Sequence, residues 1–244
     1  MEHLLGLPSL SRLRLDELSE VPLDAIAPNV KELFLNKVSW KSVDLSRSSF
    51  SDLPRPPPDL EVLILEYSPF TDTKALLYAT RPDGRPFVSL KNLKRLEIDG
   101  SDKAAFETCR LAASTSKALT SIHVKMVPNT FAGLYDAISP SLDTLQHLVL
   151  DTSVEYFNKP DPYQFACEEL EKITYSNIQS VTFQVDMEID YQCGAEIRRL
   201  SDWNRIDRLF VVLRSWRTIA SGHILRTFAS KQRSRRITGP QMRW

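Results

Sequence analysis

A six-residue run of the form apolar-x-x-apolar-x-apolar returns along this chain at intervals of about one supersecondary unit, and it constrains the fold more than any other feature. The runs are LSRLRL from Leu10, VKELFL from Val30, LEVLIL from Leu60, LKRLEI from Leu93, LTSIHV from Leu119, LQHLVL from Leu145, IQSVTF from Ile178 and IDRLFV from Ile206. Their starts lie 20, 30, 33, 26, 26, 33 and 28 residues apart. A three-point match is common in any chain rich in leucine, so the information lies in the spacing. Chance hits cluster and overlap, whereas these keep one unit's distance from each other. Most positions between the apolar ones are polar. With a side-chain period of two, each run reads as a short strand that turns its apolar residues to a core and its neighbours to an open face.

The intervals between runs carry helical patterns. Phe131, Leu134, Tyr135 and Ile138 fall on one face of a helix, with Pro128 and Asn129 as its start signal. Asp161 can cap a second helix with Pro162 at its first position and Phe165, Ala166, Leu170 and Ile173 on its buried side. Ser101 or Asp102 can open a third, with Phe106, Cys109 and Ala113 aligned. Ile197, Leu200 and Trp203 suggest a fourth, and ALLYA around Leu76 a weaker fifth. Trp216, Ile219, Ala220, Ile224 and Phe228 follow a helical spacing that suits a C-terminal capping helix, despite Gly222.

A unit averaging 28 residues, with an LxxLxL strand followed by a helix, resembles the leucine-rich repeat. The likeness is to the helix-bearing kind found in ribonuclease-inhibitor-like and fungal F-box-associated proteins, and it covers the chain from about Leu10 to Leu213. It implies an α/β solenoid of about eight parallel strands on a concave side with helices on the convex side, because a single unit cannot bury its own leucines and must stack on neighbours. The expected organisation is a solenoid over 1–230 with its capping helix, then a basic tail over 231–244. The family often places Asn or Cys three residues after the last strand leucine. Here Leu18, Val38, Ser68, Ser101, Val127, Ser153, Asp186 and Arg214 occupy those positions, so an irregular stack is expected. The resemblance further implies the target-recognition part of an F-box-type ubiquitin ligase, joined to a Skp1-like adaptor through a segment outside this chain. No F-box is visible in the sequence itself. A repeat begins almost at Met1 without an amphipathic cap, which suggests residues missing upstream or another chain over that end.

Charge is polarised although the net charge is zero. From Ala195 onward there are 12 basic residues against 3 acidic, and before it 19 against 28. The basic end is either a solvated terminus or a nuclear address or contact for an anionic partner. A nucleic-acid-associated or nuclear scaffold role is thus the alternative reading, but few aromatics interleave the basic run and nucleic acid is not the expected partner. Apolar runs reach only about six residues, well short of the ~20 that span a bilayer, and MEHLLGLPSL lacks the form of a secretory signal. Cys109, Cys167 and Cys193 are odd in number and widely spaced, which suggests neither a disulfide framework nor a metal clamp and fits a reducing cytoplasmic or nuclear compartment.

Catalytic signatures are missing from the sequence. It has no GxxxxGKS, GxGxxG, GxSxG or HExxH. His123 and His147 are expected on neighbouring strands near Asp151 and Lys125, which on a flat ladder reads as polar surface. No enzyme activity, cofactor or metal is expected. The expected site is a protein-binding concave face comprising Glu32, Phe34 and Asn36; Val62, Ile64 and Glu66; Arg95, Glu97 and Asp99; and His123 and His147. Phe34, Val62 and Ile64 would form an exposed apolar centre within a charged rim of Glu32, Glu66 and Arg95. A loop or upstream segment folded over these three is the competing expectation. The PxxP spacing from Pro54 to Pro57, just ahead of Leu60, could be a polyproline ligand, but it reads better as a stiff lead-in to a strand.

Overall fold

The computed structural model describes residues 9–23, 26–40, 56–67, 70–81, 83–99, 103–126, 131–154, 162–187 and 227–232. Strands β1 (Arg12–Asp16), β2 (Glu32–Asn36), β3 (Val62–Glu66), β4 (Arg95–Asp99), β5 (Ser121–Met126), β6 (His147–Val154) and β7 (Ser180–Met187) lie side by side in sequence order. An eighth, β8 (Thr227–Gln232), joins β7. All neighbouring pairs are parallel. Helices α1 (Phe70–Tyr78), α2 (Lys103–Thr115), α3 (Leu134–Ile138) and α4 (Pro162–Leu170) occupy the later crossovers, as parallel strands require connections long enough to return the chain to the same end.

The pairing register reproduces the repeat spacing. Arg12 faces Glu32, Glu32 faces Val62, Val62 faces Arg95, Arg95 faces Ser121, Ser121 faces His147 and His147 faces Ser180. Each pair joins the same position of two successive runs, so every leucine meets its counterpart. Leu13, Leu33, Leu63, Leu96, Ile122, Leu148 and Val181 form one buried row, and Leu15, Leu35, Leu65, Ile98, Val124 and Leu150 a second. The leading residues Val30, Leu60, Leu93, Leu119 and Leu145 are fully buried as well. These rows share one core with Leu76 of α1, Phe106 and Cys109 of α2, Leu134 and Ile138 of α3, and Ala166, Cys167 and Leu170 of α4. The helices therefore cover one face of the sheet and leave the other to the polar positions.

Backbone bonds repeat with the same period. The carbonyl of Ser11 accepts the N–H groups of Lys31 (2.7 Å) and Glu32 (3.0 Å), and the carbonyls of Lys31, Glu61, Lys94, Thr120 and Gln146 each accept two N–H groups from the next unit in the same way. At the other strand end, Glu17, Lys37 and Tyr67 take φ of 53°, 51° and 48°. Their N–H groups donate to the carbonyls of Asn36, Glu66 and Asp99 at 2.8, 3.1 and 3.2 Å. At two of the positions where the resembled repeat often has Asn or Cys, this chain packs Val38 in the core and Leu18 against it. Backbone pairs hold that side, with Ser39 N–H donating to Leu18 and Val21 N–H to Ser39.

The proline-rich lead-in behaves as a connector. Pro58 is buried and its carbonyl accepts the Ser89 N–H at 2.8 Å. The Asp59 carboxylate accepts the Ser89 hydroxyl at 2.8 Å and the side-chain amide of Asn92. Proline here costs no ladder bond because only its carbonyl is used.

Two helix expectations need adjustment. Helix α3 starts at Leu134 after Gly133, whose φ of 93° suits glycine; Pro128 and Asn129 lie outside the described residues. The capping helix lies mostly outside them too, but Phe228, expected in it, belongs to strand β8. The edge of β7 carries unpaired backbone groups that a strand satisfies and a helix does not. The helix expected around Ile197, Leu200 and Trp203 and the run from Ile206 with Arg208, Phe210 and Val212 lie outside the described residues, and the neighbour of β7 is Thr227–Gln232 instead. Strand β8 also reaches two residues into the stretch read as tail.

Cys109 and Cys167 are buried and unbridged, and burial pushes the Cys109 thiol up to about 12. Iodoacetamide applied to the native protein is expected to leave both unmodified when peptides are mapped by mass spectrometry, with labelling only after denaturation. Native-state labelling of Cys109 would place it outside the core.

Candidate functional site

On the face opposite the helices, the register arranges side chains in three rows across the strands. The first row is Arg12, Glu32, Val62, Arg95, Ser121, His147 and Ser180; the middle row is Arg14, Phe34, Ile64, Glu97, His123, Val149 and Thr182. The third is Asp16, Asn36, Glu66, Asp99, Lys125 and Asp151. All eleven residues expected at the site lie on this face.

Phe34, Val62 and Ile64 are brought together as expected, but their exposure differs from expectation. Ile64 is only 5% exposed, while Phe34 and Val62 are half-buried. Ile64 stands between Phe34 and Glu97 in register, and longer side chains on both sides leave a short branched one little open surface. The Arg14 guanidinium lies over the Phe34 ring, 6.0 Å from its centre, a contact that shields part of the ring. The apolar centre therefore reduces to Phe34 and Val62.

The charged rim is largely paired within the face. Arg12 bonds Glu32, Arg14 bonds Asp16 at 2.8 Å, Arg95 bonds Glu97, and Lys125 stands 3.8 Å from Asp99. Such exposed pairs contribute about 0–1 kcal/mol each and mainly fix geometry. The Arg14 bond holds the Asp16 carboxyl below the usual range, opposed by desolvation and assisted by the Asn36 amide.

His123 and His147 occupy neighbouring strands but different rows, since His147 faces Ser121 and His123 faces Val149. His147 Nδ1 is 2.9 Å from the Ser180 hydroxyl. His123 lies between two carboxylates, with Nδ1 4.0 Å from Glu97 and Nε2 3.8 Å from Asp151. Among the described residues no three His, Cys, Asp or Glu side chains converge as a metal site would need. None of their helices is long and apolar enough to cross a membrane.

The third row holds Asn36, Glu66 and Asp99, which were expected at the site, together with Asp16, Lys125 and Asp151, which the expected site omitted. Asp151 is 8% exposed and its Oδ1 accepts no hydrogen bond. Asn36 donates its amide to Asp16 at 3.2 Å, yet its own Oδ1 is buried without a donor. Burial pushes the Asp99 carboxyl above the usual carboxylate range; Lys125 and the Tyr67 hydroxyl oppose the rise, and Glu66 and Asp151 add to it. The signal available in sequence was the position just after the last apolar residue of each run, where Asp16, Asn36, Glu66, Asp99 and Asp151 recur.

Compared with known proteins, the chain matches no family model, no curated protein and no solved structure.

Proposed function

We propose that this chain is a leucine-rich-repeat solenoid that binds another protein on its concave face. The observation that carries the reading is the register itself: successive runs place one side chain of each kind per strand, in rows that continue across seven strands. Rows of that kind offer a long surface whose residues can vary without touching the core on the other side. By its resemblance, the chain is the target-recognition part of an F-box-type ubiquitin ligase subunit.

The test is to recover partners with the tagged full-length protein and to measure their binding to point variants. Phe34→Ala should weaken the target's binding by about 2 kcal/mol, roughly 30-fold, as for an aromatic anchor near an interface centre. Glu107→Ala, at an exposed position of α2, should leave it unchanged. Equal loss in both variants, or in neither, would remove the concave face as the site. Recovery of a target without a Skp1-like adaptor would remove the ligase assignment and leave the binding module.

A further inference from the structure

The residue that follows β3 combines two features that the fold does not require. Tyr67 has φ of 48° and is 61% exposed. The left-handed turn itself is structural, since the same conformation at Glu17, Lys37 and Tyr67 lets each N–H reach a carbonyl of the next unit. Glycine or asparagine meets such a turn at least cost, and the sequence places Gly100 at the same point after Asp99. A bulky aromatic there is an outlier, and it gains little burial in return. Its hydroxyl bonds the Asp99 carboxylate of the third row, which holds the side chain on the open side of the sheet. What Tyr67 offers outward is its ring.

Further apolar surface lies close by on that side. Phe34 and Val62 are half-buried on β2 and β3. Tyr67 stands three residues beyond Ile64, the register partner of Phe34, which is about 10 Å along the strand. A standard interface covers about 800 Å² of each partner, a patch about 30 Å across, so both points fit under one target. The charges around them are tied within the chain: Arg12 to Glu32, Arg14 to Asp16, Arg95 to Glu97 and Lys37 to Glu17. Exposed charges that already have partners gain little from a new one, which leaves the apolar groups to anchor the target. We propose that the target is held at two apolar points, Phe34 with Val62 and then Tyr67, and that it presents two large apolar side chains about 10 Å apart, the span of three residues of extended chain. The inference rests on the concave-face reading above and names the chemistry of its partner.

The probe is the target recovered with the tagged full-length chain, purified and titrated calorimetrically against variants. Tyr67→Asn, whose side chain suits the turn, is expected to bind the target roughly 10-fold or more weakly, with a urea midpoint no lower than that of the wild type. Tyr67→Phe, which brings back the ring without the hydroxyl, should recover the loss. Tyr175→Asn, at an equally exposed tyrosine between α4 and β7, should bind as the wild type does. Raising NaCl from about 50 to about 500 mM should change the wild-type affinity by less than about 3-fold, since salt screens exposed charges and not apolar contact. Nitration with tetranitromethane needs no substitution: Tyr67 and Tyr175 should both react in the free chain, and only Tyr175 in the complex. Wild-type affinity in Tyr67→Asn, or nitration of Tyr67 in the complex, would overturn Tyr67 as the second point, while a loss in Phe34→Ala would keep the concave-face reading. A fall of roughly 10-fold or more over the same salt range would overturn the apolar chemistry of the partner. If Phe34→Ala and Tyr67→Asn both bind as the wild type does, the concave-face reading falls and this inference with it.

Discussion

Leu96→Ala is expected to lower the unfolding free energy by about 3 kcal/mol, whereas Arg95→Ala, one position away on the same strand, should cost less than about 1 kcal/mol. Leu96 is fully buried between Leu63 and Ile122, themselves fully buried, on the strands to either side. Truncating it opens a cavity that the surrounding leucines cannot fill without leaving their own rows. Arg95 is exposed, and its main contact is the bond to Glu97 beside it. Urea unfolding of the two variants checks the contrast. Similar losses would mean that the strand's two faces have been assigned the wrong way round. The expected size also reflects the architecture, because each unit contributes to its neighbours' core and a defect in β4 weakens two interfaces.

How much of this was legible in the sequence differs from one feature to the next. Pairings from β1 to β7 follow from two quantities that hydrophobic patterning exposes, the period of two within a run and the interval between runs. The Val62–Arg95 and Ser121–His147 pairs could therefore be written down beforehand. The last strand could not. IDRLFV fits the pattern, yet β7 pairs instead with TFASKQ, where Thr227 meets Thr182 at an offset of 45 residues. Patterning reports which segment could bury one face, whereas the end of a sheet needs only a segment that can satisfy backbone groups. Depth on the open face was equally hidden. Alternation puts Ile64 on that face but says nothing of the bulk of Phe34 beside it. Positions in the third row were readable from strand ends; the acceptors on Asn36 and Asp151 that lack donors depend on side-chain geometry.

Glu169 illustrates a contact that no repeat pattern announces, and its removal is expected to cost about as much as Leu96→Ala. It sits near the end of α4, almost wholly buried, and its Oε2 accepts the Tyr135 N–H at 3.1 Å at the start of α3. Its Oε1 accepts Lys172 Nζ at 2.6 Å. A helix start has N–H groups without partners inside the helix, and a carboxylate there meets both that need and the positive end of the helix dipole. Burial alone would raise the Glu169 carboxyl, but bonds from Lys172, Tyr135 and Gly133 prevail and hold it below the usual range. Glu169→Ala should therefore destabilise by about 3 kcal/mol at pH 7, since it leaves the part-buried Tyr135 N–H without its charged acceptor and removes the bond to Lys172. The sign of the pH dependence follows from the lowered value: the stabilisation is complete above the unfolded-state carboxyl, near about 4.3, and is lost as pH falls below it. Glu169→Gln keeps the shape and removes the titration. Urea unfolding of wild type and Glu169→Gln should show a gap at pH 7 that narrows toward pH 3.5. A gap that stays constant over that interval would show that the carboxylate's charge does not join α4 to α3, and that only its shape does.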